Sequence, residues 1–121
     1  MFKEALESII ARTEGSLGAL IMGTDGIHVE RVLTDNGHAA NIDVAAAEVT
    51  SLVRGAQRAG NEIGLGSLRE FVMVHEAVVL IVRMLNAEYF FVLAIEPGGN
   101  IGRGRFELRK AELSYATEFA L

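Results

Sequence analysis

The longest helical periodicity in this chain runs over residues 43–66. On a helix of 3.6 residues per turn, Ala45, Val49, Leu52, Ala56, Ala59 and Ile63 fall on one stripe, the usual pattern of a core-facing side. The flank beside that stripe carries Ala46, Thr50, Val53, Gln57 and Gly60, small or weakly polar residues that let another backbone come close. The far side shows Ala47, Ser51, Arg54 and Arg58, with little charge for a solvated face. A helix that only packs on a sheet shows charge over the rest of its surface. This one is expected to meet two further surfaces, a second copy of the chain and a partner protein.

The remaining pattern surrounds that helix with strands. Phe2, Ala5, Leu6, Ile9 and Ile10 share one face and predict a first helix over residues 2–13, stopped at Gly15. An apolar run at 17–22, the turn Thr24-Asp25-Gly26 and an alternating run at 27–33 predict a hairpin. The mixed faces of its second strand fit a sheet edge. Residues 34–42 are polar and read as a surface loop, with Asn41 or Asp43 available to cap the central helix. Gly64-Leu65-Gly66 is a stop signal for that helix. Three strands follow, at 68–75, 77–85 and 89–95, joined so tightly that they must pair antiparallel. The last two are almost continuously apolar, so both of their faces need cover and helices are expected on both sides of the sheet. After Glu96-Pro97-Gly98-Gly99, Asn100 can cap a last helix over 101–120, where apolar residues including Phe106, Leu113, Ala116 and Phe119 leave the register open. The predicted order is α-β-β-α-β-β-β-α. It implies an α+β fold (α/β in composition) with a five-stranded antiparallel sheet between helical layers, in one domain over 1–121.

Composition narrows the function classes. At 121 residues and 50% apolar content the chain can bury a core. No apolar run approaches the ~20 residues of a membrane span, and no secretory signal is visible, so cytoplasm is the expected address. Cysteine is absent, which removes disulfides and thiolate chemistry. The net charge of −5 argues against general nucleic-acid binding. The acidic excess sits in the first 43 residues, and a local basic cluster stands at Arg103, Arg105, Arg109 and Lys110. That cluster reads either as a solvated face or as a site for a second, acidic partner.

The ordered motifs resemble the roadblock/dynein light chain family. They are Gly15-Ser16-Leu17-Gly18-Ala19 at the first strand, Thr24-Asp25-Gly26-Ile27 at the hairpin, and Ala45-Ala46-Ala47 with Leu52 in the central helix. Gly64-Leu65-Gly66 precedes the third strand, and Asn100-Ile101-Gly102-Arg103 opens the last helix. The set spans about nine-tenths of the chain and is most similar to the family's bacterial MglB-type regulators. The resemblance implies a roadblock/longin-like fold and a homodimer in which central helices pack together and third strands join into one sheet. It also implies a partner, a small Ras-like GTPase of the MglA type, met from the central-helix side. On that basis the expected dimer interface is Ala46, Thr50, Val53, Gln57, Gly60, Phe71, Val72 and Met73. The expected partner-binding set is Ala47, Ser51, Arg54 and Arg58. The residues support the dimer separately, because the third strand would be an edge whose middle, Phe71-Val72-Met73-Val74, lacks any lysine, proline or inward charge to block pairing.

Catalytic chemistry finds little support. Residues 99–105 have P-loop glycine spacing, but Arg105 stands where the lysine belongs and Phe106 where the magnesium-binding hydroxyl belongs. His28, His38 and His75 lack metal-ligand spacing, and no serine sits in a nucleophile elbow. No cofactor and no catalytic residue is assigned. The reading is a non-catalytic regulator that biases the switch loops of a GTPase. A dimeric scaffold and a small-molecule sensor domain are the alternatives.

Overall fold

The computed structural model describes residues 2–39 and 41–115, without the side chains of His38, Ala39 and Asp43. The element order is α1 (Phe2–Arg12), β1 (Ser16–Gly23), β2 (His28–Leu33), α2 (Asp35–Ala39), α3 (Ile42–Glu62), β3 (Glu70–Val74), β4 (Val79–Met84), β5 (Tyr89–Ile95) and α4 (Ile101–Tyr115). The predicted residues 116–120 of the last helix, with Ala116 and Phe119, lie outside the described residues, as do the side chains of His38 and Asp43.

The five strands form one antiparallel sheet in the order β2-β1-β5-β4-β3. β4 and β5, the apolar runs that demand cover on both faces, sit inside it. One face of the sheet, with Ile21, Ile81, Phe91 and Leu93, packs under Leu6 and Ile9 of α1 and Leu108 and Ala111 of α4. The other, with Leu20, Val82, Phe90 and Val92, packs under Ile42, Ala46, Val49 and Val53 of α3. Helical layers on both sides follow from that double burial. At Gly104 a Cβ would lie 2.9–3.0 Å from Ile95, Ile81 and Leu93, so glycine lets α4 settle onto the sheet.

Local chemistry fixes the boundaries. Asp25 Oδ1 accepts from the Ile27 amide at 3.0 Å in the β1–β2 turn, where Gly26 takes φ +89°. The Leu65 amide donates to the Gly60 carbonyl at 2.8 Å across Gly64, at φ +73°, which is the long hydrogen bond of a Schellman ending. Asn100 Oδ1 caps α4 by accepting from the Arg103 amide at 2.9 Å. Two expectations change. Asn41 does stand at the start of α3, but in the left-handed conformation and with no side-chain cap. The segment read as a loop contains α2, whose cap is Thr34: its hydroxyl accepts from the Gly37 amide at 3.1 Å and donates to the Leu17 carbonyl at 2.9 Å. A five-residue helix with a central glycine is too short to show periodicity.

Candidate protein-docking surface

The site is built by how α3 turns on the sheet. Its inward stripe is Ile42, Ala46, Val49, Val53 and Gly60, with Thr50 also buried and its hydroxyl bonded to the Ala46 carbonyl at 3.2 Å. Small residues at i, i+7 and i+14 (Ala46, Val53, Gly60) let the helix approach its own sheet and its own terminating loop. A Cβ on Gly60 would stand 3.1 Å from the Gly66 carbonyl oxygen. Ala46, Thr50, Val53 and Gly60 are therefore buried against their own chain. Gln57 is tied internally as well, its Nε2 donating to the Ala87 carbonyl at 3.0 Å. This corrects the expected faces: the stripe read as core contains Leu52, 50% exposed, and Ile63, 69% exposed. Periodicity alone could not separate the two, because both adjacent stripes carry small or apolar residues at the same spacing and differ by a rotation of the helix.

The displaced stripe defines a groove. Ala45, Val49 and Leu52 of α3 face Met73, Val78 and Leu80 across a cleft of about 420 Å³, with Glu48 and His75 also on its lining. Ala56, Ala59 and Ile63 continue the same side of the helix toward its C-terminus. β3 forms the outer wall, and it is the last strand of the sheet. Phe71, Val72 and Met73 are half-buried on it, while Val74 is 70% exposed. An apolar cleft running into an open strand edge suits a protein surface better than a small ligand, which needs polar groups to orient it.

On the opposite flank of α3, Ala47, Ser51, Arg54 and Arg58 are all exposed. Arg54 Nη1 donates to the Thr24 carbonyl at 2.7 Å, which fastens this flank to the β1–β2 turn. The basic cluster of α4 is largely engaged within the chain. Glu107, 1% exposed, lies between Arg103 at 2.9 Å and Lys110 at 3.0 Å, and both cations lean over the Phe106 ring. Arg105 pairs with Glu70 of β3 at 2.7 Å, and the hydrogen bond and charge of Glu70 raise the guanidinium pKa above its ordinary value. Arg83 bridges Glu70 at 3.7 Å and Glu112 at 2.7 Å, linking the start of β3 to α4. These pairs account for three of the four clustered cations as structural links.

Among the described residues no group of three or more His, Asp or Glu could hold a metal, and no helix is long and apolar enough to cross a membrane. The former P-loop candidate is the Asn100-capped start of α4.

No family model matches the chain, and neither does any curated protein. Solved structures do match. MglC from Myxococcus xanthus is 30% identical, with 98% of this chain and 98% of that one covered and a TM-score of 0.73. A Roadblock/LC7 domain from Streptomyces avermitilis is 17% identical over 95% of this chain and 94% of its own, with a TM-score of 0.81. An MglB with a tetrameric arrangement is 21% identical over 95% and 85%, with a TM-score of 0.81. The open sheet, its helical layers and these likenesses agree with the motif order along the chain: it belongs to the roadblock/dynein light chain (Roadblock/LC7) family and is similar to MglB and MglC.

Proposed function

We propose that the chain is a homodimeric, non-catalytic regulator of a small Ras-like GTPase. Two copies join along the β3 edge and the Leu52 side of α3. The exposed flank of Ala47, Ser51, Arg54 and Arg58 meets the GTPase. The observation that carries this reading is the apolar groove between α3 and β3, open at a strand edge that nothing among the described residues covers. The tetrameric arrangement of the similar MglB supports self-association. The family resemblance supports a GTPase as the further partner. Regulation requires the dimer to prefer one arrangement of the switch loops over another. Repositioning a water-orienting side chain within the GTPase accelerates hydrolysis without any group entering from the regulator.

Arg54 favours a second reading. Its bond to Thr24 gives it a structural task, and a scaffold that assembles proteins without affecting hydrolysis needs no free cation there. Single-turnover GTP hydrolysis by a small Ras-like GTPase of the MglA type, with and without the protein, separates the two. Acceleration selects the regulator, binding without acceleration selects the scaffold, and no binding removes both. Replacing Arg54 and Arg58 with alanine is expected to weaken GTPase binding about tenfold, roughly 1.4 kcal/mol, with the dimer mass unchanged. Unchanged affinity takes both residues off the contact surface.

A further inference from the structure

α4 lies on the face of the sheet away from α3, and its outward side is ordered by residue type. Phe106 and Leu113 are both exposed, and seven residues apart they fall within about 20° of each other around the helix. Their separation along the axis is about 10 Å, two turns. Arg105 and Arg109 flank this apolar line on one side, and Arg103 and Lys110 on the other. The buried side of the helix, with Gly104, Leu108 and Ala111, is spent on the sheet and on α1.

The ion pairs of this cluster do not cancel its charge at the surface, because each turns its acid inward. The Glu107 side chain is 1% exposed, whereas Arg103 and Lys110, which hold it at 2.9 and 3.0 Å, are each 44% exposed. Glu70 is 13% exposed and its partner Arg105 56%. Glu112 is half-buried and bonded to Arg83. Arg109 is exposed and has no ion pair among the described residues. Every charged residue on the exposed side of α4 is therefore a cation. Four cations less two acids leave the helix at +2, in a chain whose total is −5. The buried carboxylates also hold three of these long side chains in place, which lowers the entropy lost when they meet a partner.

We infer that the outward side of α4 docks an acidic amphipathic helix of a partner protein. Apolar side chains two turns apart on that helix meet Phe106 and Leu113, and carboxylates on its flanks meet the cations on either side. An apolar line bordered by one sign of charge selects such a helix by shape and by charge together. A lipid surface fits less well. α1 shares this face of the sheet and exposes Glu4 and Glu7, which a broad anionic plane would meet and a single helix laid along α4 need not. Two apolar side chains also bury too little to hold a protein on a bilayer. The α3–β3 groove and the Arg54 flank lie on the other face, so this docking leaves them free and depends on neither the dimer nor the GTPase.

The probe is a fluorescein-labelled synthetic helix of about 14 residues, four turns, with leucines two turns apart and glutamates on both flanks. Titrated with the full chain at low salt, its anisotropy is expected to report a Kd on the order of micromolar. Arg109→Glu and Leu113→Ser are each expected to weaken binding about tenfold with the far-UV signal unchanged. Neither residue holds an internal link, and Arg109→Glu alone decides if Leu113→Ser loses the fold. The double variant Arg54→Ala/Arg58→Ala is expected to bind the probe as the parent does. Peptides with lysine for every glutamate, or with leucines and glutamates shuffled, are expected not to bind. No binding of the acidic helix, equal binding of the shuffled peptide, or undiminished affinity in Arg109→Glu overturns the inference. Co-sedimentation with phosphatidylserine–phosphatidylcholine vesicles while the peptide stays unbound also overturns it, and gives the surface to lipid.

Discussion

Leu52 and Val53 are adjacent in sequence, yet one is half in solvent and the other is 0% exposed under the sheet-facing side of α3. Their substitutions should separate folding from association. Val53→Ala removes two buried methyl groups and is expected to lower unfolding stability by about 2 kcal/mol, measured by urea denaturation. Leu52→Asp leaves a carboxylate in water and keeps the helical far-UV signal, while the dimer weakens at least tenfold by light scattering. Equal losses of fold in both variants would mean that Leu52 is a core residue. At this scale the sequence is legible where side-chain chemistry is local: Asp25 in its turn and Asn100 at its cap do what their residue types favour. It is silent where the outcome depends on a residue distant in the chain. Nothing near Glu107 in the chain distinguishes a buried acid held by Arg103 and Lys110 from an exposed one until α4 is laid on the sheet.

Among elements, α3 is the instructive case. Its length and its glycine ending were legible because caps and periodicity are properties of the chain itself. Its rotation was not, because the Ala45–Leu52–Ala59 and Ala46–Val53–Gly60 stripes have the same spacing and similar polarity. Close approach to the sheet selects the stripe with the smaller residues, and the larger Leu52 is left to line the groove. The strands were easier, since continuous apolar runs and short connections leave few arrangements. The ending of α3 is testable on its own. Gly64→Ala places a side chain at φ +73°, at an expected cost of about 1 kcal/mol in stability. The proposed GTPase binding through the Arg54 flank, far along the helix, should be unchanged. A stabilised variant would show that Gly64 does not hold that conformation.

At the level of the whole molecule, the net charge is −5 and three of the four clustered cations of α4 are paired, while among the described residues one border of the sheet, β3, is left bare. Natural sheets guard such borders, and β2 is guarded here by Glu30 and Arg31. Leaving β3 unguarded beside an apolar groove is consistent with a border that is used. The central claim is that a second copy uses it. Sedimentation equilibrium of the unmodified protein at micromolar concentration measures this most directly. The account predicts a mass of twice 13.0 kDa; a single species at 13.0 kDa would contradict it.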